Sequence, residues 1–385
     1  MPSPQEVAGL VEQVTPKAVE LRRLLHRYPE PSYHEHQTTA LIATTLDQHG
    51  IDHHLRAPAT GLWLDIGPDP VAGFRADIDA LPITEPEINA PRSQNEGWMH
   101  ACGHDAHAAI AAGIAIVMNR LRLERGVRVL FQPAEEAYPG GASEMVAEGL
   151  VDGIKSLLAF HVDPALAVGR IGAKVGPVTG SSDLLVITLS GPGGHTSRPH
   201  RTVDLVDAAA RVVNELPGLI RQSIDSRIAV TTVFGSIHGG EAANVIPTEV
   251  VLKGTVRTLD KSLWDVLPGL VDKALSGLLA VSSAGYRLDY RQGIPPVVND
   301  HRVVDTACEG IVAHLGESAV VETETSMGGE DFSNYLGVTP GALLRLGAES
   351  GGGDLHSAGF NVNEAAVGVG IRAGTAALLS LMERA

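Results

Sequence analysis

Val127-Arg128-Val129-Leu130-Phe131-Gln132-Pro133-Ala134-Glu135-Glu136 reads as a short buried strand that runs into a proline and two adjacent carboxylates. Two neighbouring acids are ordinarily a solvated charge pair. Behind an apolar strand and a proline they stand elsewhere, at the carboxyl end of a strand, where open α/β sheets carry their sites. The chain on either side supports that reading. Upstream, apolar residues recur at helical spacing over 7–25, and a second helix is predicted to about Gly50. Strands are predicted at 62–66 and 71–76, and Arg75-Ala76-Asp77-Ile78-Asp79-Ala80-Leu81-Pro82 leaves the second with two acids on one face. Met99-His100-Ala101-Cys102-Gly103-His104-Asp105-Ala106-His107 then opens a helix through Ala108 to Leu121. Downstream come a helix over 143–148 and an apolar strand over 157–160 that ends at His161. Strands alternating with helices predict an α/β fold, with a mixed, mostly parallel sheet and helices on both faces.

From about Gly176 the texture changes. Strands at 183–190, 228–237, 249–258 and 286–291 and helices at 202–225 and 263–281 follow the order β-α-β-β-α-β, a ferredoxin-like pattern. The expected organisation is therefore a discontinuous domain over 1–175 and 292–385, with a domain inserted over 176–291. The returning chain offers a helix at 303–315, a strand at 342–346, the glycine-rich loop Gly351-Gly352-Gly353, Asp354-Leu355-His356, and a last helix over 365–382.

With 385 residues the chain has room for two domains. Its formal net charge of −16 argues against nucleic acid and against an anionic membrane surface. No apolar stretch is expected to reach the ~20 residues of a membrane span. Cys102 and Cys308 are the only cysteines, which suits a reducing cytoplasm rather than a disulfide scaffold.

Thiolate, imidazole and carboxylate are ligands for zinc and similar divalent metals. Cys102, His104, Glu136, His161 and His356 each end a predicted strand or lie beside glycine or proline, on what would be a rigid rim. Any one histidine taken alone is more often a surface or core residue; five such groups at strand ends are what a two-metal site needs. If the cluster is extended, Cys102 and His104 point the same way. Glu135 and Glu136, diverging on extended backbone, can divide two jobs: Glu136 binds metal, and Glu135 takes a proton from an acidified water and returns it to a leaving amine. Asp77 is expected to orient a ligand histidine, with a salt bridge to Arg75 as the plainer alternative. His107 is second to the ligands or plain packing. In the inserted domain, Gly191-Pro192-Gly193-Gly194-His195 is too glycine-rich for a strand and reads as a loop whose His195 hydrogen-bonds an oxyanion. Asn244 offers an amide near Pro247, and Arg257 a bidentate clamp for a substrate carboxylate.

These residues resemble the metal-dependent M20 peptidases, in particular the amidohydrolase branch of hippurate hydrolases, N-acyl-amino-acid deacylases and plant indoleacetyl-amino-acid hydrolases. The resemblance covers nearly the whole chain. It is carried by Arg75 through Ile83, Met99 through Asp105, Phe131 through Glu136, Phe160-His161, Gly194-His195 through Pro199-His200, Asn244-Val245-Ile246-Pro247, Gly328-Gly329-Glu330-Asp331-Phe332 and Leu355-His356-Ser357. It implies two divalent metals, manganese or zinc with cobalt or nickel as substitutes, bridged by Cys102. Glu136 and His356 would complete one site, His104 and His161 the other, with Glu135 as the base. It implies a small N-acyl-amino-acid or peptide-like substrate, and a homodimer through the inserted domain, which acts as a lid.

Many members of the wider family have His-x-Asp where this chain has Arg75-Ala76-Asp77, and an aspartate bridge where it has Cys102. Arginine cannot ligate a metal, and His104 stands as the replacement, a swap that resembles the amidohydrolase branch. The turn Ala137-Tyr138-Pro139-Gly140-Gly141 is longer than the family's. The rival readings are a dipeptidase or carboxypeptidase of the same family, a cysteine hydrolase using Cys102 without metal, and a non-catalytic metal- or ligand-binding relative.

Overall fold

The computed structural model describes residues 2–385, which form two compact units. The first runs to Val178 and resumes over Val298–Glu324 and Asp331–Ala385. The second comprises Thr179–Val297 and Thr325–Glu330. The short return of Thr325–Glu330 to the second unit carries no sequence signal; it is held by backbone bonds such as Gly180 N–H to Gly328 C=O at 3.0 Å.

Among the described residues, the first unit holds an eight-stranded sheet. Its order is His54–Leu55, Leu62–Ile66, Gly126–Gln132, Pro70–Asp77, Ser156–Asp163, Gly341–Gly347, Ile171–Ala173 and Val320–Glu322. The four strands from Gly126–Gln132 to Gly341–Gly347 are mutually parallel, and antiparallel pairs occur toward the edges. The expected mixed, mostly parallel sheet is therefore observed. Ser3 opens the helix Pro4–Arg27 by accepting from the Glu6 amide, with proline at the first helical position, where no N–H is needed. That helix packs with His104–Arg120 and Ala365–Arg384. His104–Arg120 and Ala365–Arg384 approach each other closely because Gly113 faces Ile371 and Gly374 faces Ile114, where a Cβ would come within 2.4 Å of either side chain.

Ala365–Arg384 corrects one expectation. Among the described residues it is long and apolar enough, by length and composition, to cross a membrane. Yet 72% of its apolar window is buried inside the fold, where it serves as a core helix.

The second unit has a four-stranded antiparallel sheet in the order Val230–His238, Glu249–Thr258, Ser182–Ser190, Gly285–Ile294. Helices Leu205–Gln222 and Lys261–Leu279 share its apolar core with Leu185, Ile187, Leu189, Leu252 and Val256. Asp204 and Asp260 cap their N-termini. The expected loop at 191–195 is in part a strand: Gly194–His195 pairs antiparallel with Val245–Ile246. Glycine weakens a strand without forbidding a two-residue pairing, and Gly193 supplies the φ of +67° that leads into it.

Candidate metal centre

The first unit gathers five of the sequence candidates. Among the described residues, Cys102, His104 and His161 have ligand atoms within 4.8 Å of one another, and so do Cys102, Glu136 and His356. Cys102 belongs to both groups. Its Sγ lies 3.4 Å from His161 Nε2 and 3.3 Å from His356 Nε2. Such spans suit a cation about 2.0–2.3 Å from each donor.

Each ligand arrives from a different element. His161 sits in the strand Ser156–Asp163, Glu136 follows Gly126–Gln132, and His356 lies in a loop whose amide donates to Ala101 C=O at 2.9 Å. Cys102 and His104 are not extended neighbours, contrary to the expectation. Gly103 takes a left-handed turn at φ +81°, and His104 is the first residue of the following helix. A Cβ at Gly103 would stand 2.5 Å from Val162 Cγ2, so both the turn and the close approach demand glycine.

Surrounding carboxylates and carbonyls fix the rings. His104 Nδ1 lies 3.0 Å from Asp79 C=O and 3.2 Å from Asp79 Oδ1, which leaves Nε2 to face the site. That Nε2 is buried without a hydrogen-bond partner, 3.8 Å from Asp77 Oδ1 and 4.0 Å from both Glu135 Oε2 and Glu136 Oε1. A buried nitrogen left in this state among carboxylates fits a cation ligand. His161 Nδ1 donates to Val162 C=O at 2.8 Å, directing Nε2 toward Cys102. His107 is no ligand: its Nδ1 meets Asp77 Oδ1 at 2.6 Å and its Nε2 accepts from the Val162 amide at 2.9 Å.

Asp77 thus differs from its expected role. It orients His107 and pairs with Arg75 at 2.6 Å, so the plainer alternative also holds, while Asp79 orients His104. Sequence spacing put both acids on one face and could not say which reaches the ligand ring. Arg75 is buried; it bonds Gln132 at 2.7 Å and Asp331 at 2.7 Å, locking the ends of two parallel strands. The Glu pair also departs from simple divergence. Both carboxylates come within 4.0 Å of His104 because Ala134, at φ +54°, turns the backbone just before them.

Acting on one another alone, these groups are strongly perturbed. Burial pushes the Cys102 thiol up. Bonds to Cys102 and Glu136 raise His356 to about 10. Burial, with Arg345 and His107, holds His161 well below the usual imidazole value. Burial opposes the charged form of His104, but the Asp77 charge and the Asp79 bond outweigh it and raise His104 well above the ordinary value. A bound cation would reverse the preferences of Cys102, His104 and His356 and reinforce that of His161, favouring thiolate and neutral imidazole.

A family model described as peptidase family M20/M25/M40 matches residues 73–380. The chain belongs to that family. A relative in Rhodococcus jostii (strain RHA1), provisionally named a glutamate–cysteine ligase, is 41% identical over 361 residues, which are 92% of this chain but 46% of that relative. This M20 chain therefore spans less than half of the protein which that name describes. An N-acyl-L-amino acid amidohydrolase of Geobacillus stearothermophilus is 37% identical over 77% of this chain and 81% of its own. A crystal structure of a Bacillus subtilis protein, described as a dinuclear metal-binding peptidase of the M20 family, superposes with a TM-score of 0.85 at 31% identity, covering 97% and 99% of the two chains.

The M20 chain's remaining candidates lie in the second unit. His195 lies on one of the paired short strands and Asn244 in the turn just before the other; both are exposed, and the Thr196 amide donates to Asn244 C=O at 3.2 Å. His195 Nδ1 accepts from the Ser197 amide at 3.1 Å and faces its hydroxyl at 2.8 Å, which leaves Nε2–H as the outward donor. Arg257 is half-buried and donates to Met327 C=O at 3.0 Å, so part of its fork is already committed to backbone. Ser197 and Asp79 are orienting residues that sequence reading missed. The signal for Asp79 was its place two residues after Asp77; Ser197 had none.

Proposed function

We propose that this M20 hydrolase cleaves the amide bond of N-acyl-amino acids to a carboxylate and an amine, using two divalent cations. The carrying observation is the pair of three-ligand groups sharing Cys102, with Glu135 4.0 Å from the orphaned His104 Nε2. Cys102, Glu136 and His356 would hold one ion, and Cys102, His104 and His161 the other. When bound, the cations supply Lewis-acid polarisation of the carbonyl and acidification of water. Glu135 takes the proton of the attacking water and delivers it to the leaving nitrogen. His195 donates from Nε2 to the developing oxyanion, and Asn244 and Arg257 recognise the substrate carboxylate. The amidohydrolase name of the Geobacillus relative supports the substrate class. The peptidase description of the Bacillus subtilis structure favours a second reading, hydrolysis of small peptides.

Manganese or zinc is the proposed native metal, with cobalt or nickel as substitutes, on the mixed thiolate, imidazole and carboxylate donor set. A homodimer through the second unit is proposed on its edge strand Val230–His238, where Val233 is 61% and Ile237 52% exposed. Two free cysteines suit a reducing cytoplasm.

The test is to chelate the purified protein, restore one metal at a time, and assay N-acyl-amino acids and dipeptides for released amine. Activity that disappears on chelation and returns with metal is expected, with acyl-amino acids preferred. Activity surviving complete metal removal would revive Cys102 as a nucleophile. Preference for dipeptides would establish the second reading.

A further inference from the structure

Glu35 is wholly buried, in the segment linking the first two helices. It is the residue before the helix His36–Gln48, yet its side chain makes no cap to that helix. Instead the carboxylate is spent elsewhere. Oε1 accepts from the Tyr33 amide at 3.0 Å and from the Ala134 amide at 2.7 Å, and Oε2 accepts from the Thr60 hydroxyl at 2.5 Å. Both amide donors belong to residues in the left-handed region, Tyr33 at φ +66° and Ala134 at φ +54°. Neither is glycine, so each conformation persists only where its surroundings enforce it.

Ala134 immediately precedes Glu135 and Glu136. Its carbonyl is held as well, accepting from the Gly141 amide at 3.0 Å. Two residues on, the Glu136 amide donates to Asp79 Oδ2 at 3.0 Å. Two buried carboxylates, Glu35 and Asp79, therefore grip alternate amides of one turn, and the Glu135 side chain departs between them. Asp79 also touches His104, so its loss would disturb the metal ligands directly. Among the described residues Glu35 bonds Tyr33, Thr60 and Ala134 and none of the metal ligands. Its grip acts only through the backbone.

We propose that Glu35 is a positioning residue for Glu135: by clamping the Ala134 amide it enforces the left-handed turn that aims the Glu135 carboxylate. The inference rests on the reading of Glu135 as the base. Misplacing a reacting group by about 1 Å can cost about 10²-fold in rate.

The experiment compares E35A, E35Q, E35D and the double variant E35A/A134G. Hydrogen exchange over residues 132–137 is read on metal-free protein, and kcat, KM, metal content and melting temperature on metal-loaded protein. E35A should lose protection at the Ala134 amide. Its kcat should fall about 10²-fold, with KM changed less than about threefold and metal content kept. E35Q should restore both protection and kcat, because the amide oxygen still accepts both backbone N–H groups and its NH₂ can donate to Thr60. Glycine adopts φ +54° without being forced, so A134G added to E35A should recover at least about tenfold of kcat. If E35A does not fold, E35D, which keeps the charge but withdraws it by one methylene, should show the same defect in milder form and the same rescue by A134G. A lowered melting temperature with unchanged kcat, or a kcat defect that A134G leaves untouched, overturns the proposal. If the wild type cleaves neither acyl-amino acids nor dipeptides, the reading of Glu135 as the base fails, while exchange at Ala134 still decides whether Glu35 is the clamp.

Discussion

The metal centre of the first unit and the His195 loop of the second are built on opposite principles. In the metal centre the two buried ligand rings are fixed by their other nitrogen, His104 by Asp79 and His161 by Val162 C=O, while the exposed His356 has its backbone amide held by Ala101 C=O. Behind them stands a dry ionic frame in which Arg75 joins Asp77, Gln132 and Asp331. The His195 loop is exposed, rests on a two-residue strand pair, and has its ring oriented by one serine. A buried polar group has no water to fall back on, so the fold satisfies it or, as at His104 Nε2, leaves it to a bound cation. An exposed donor can be held loosely and still be offered to a ligand. The first design fixes geometry in advance; the second leaves its donor exposed to solvent.

Three measurements would break or sharpen that contrast. The largest effect is expected for E135Q, which should keep its metals by metal analysis yet lose at least about 10³-fold in kcat, near the upper range for a general base. Turnover retained in E135Q would remove Glu135 from the role. Next is H195A, expected to lose about 10²-fold in kcat, as for removal of one oxyanion donor, with metal content and melting temperature unchanged. A change in metal content there would mean that the loop is no separate device. The smallest is D79N, expected to weaken metal affinity by about 10–100-fold in a competition titration, through loss of the carboxylate that seats His104. Unchanged affinity would show that the Asp79 backbone carbonyl, 3.0 Å away, suffices to hold the ring.

The same contrast explains what was legible. Ligand types, strand ends and the Glu pair are local features, and they named Cys102, His104, Glu136, His161 and His356 before any fold was known. Helix and strand positions followed from periodicity, because burial writes its period into the residues that are buried. Supporting partners did not follow. Asp77 looked like the orienter of a ligand histidine, but the fold gives that task to Asp79, two residues on along the same face. Glu35 lies 99 residues from Ala134, and nothing local in the sequence pairs the two. The helix Ala365–Arg384 went unrecognised as membrane-length because Arg372 interrupts its apolar run near the middle.

The sequence by itself determined the class of fold, the donor set and the family, since each is a matter of residue type and spacing along the chain. Only the tertiary structure decided which carboxylate faces which ring, that Gly103 turns Cys102 against His104, and that a left-handed Ala134 aims the Glu pair. Those contacts join residues far apart in the chain, and their hydrogen-bond partners are set by packing in three dimensions, where a shift of one residue or one ångström exchanges one partner for another.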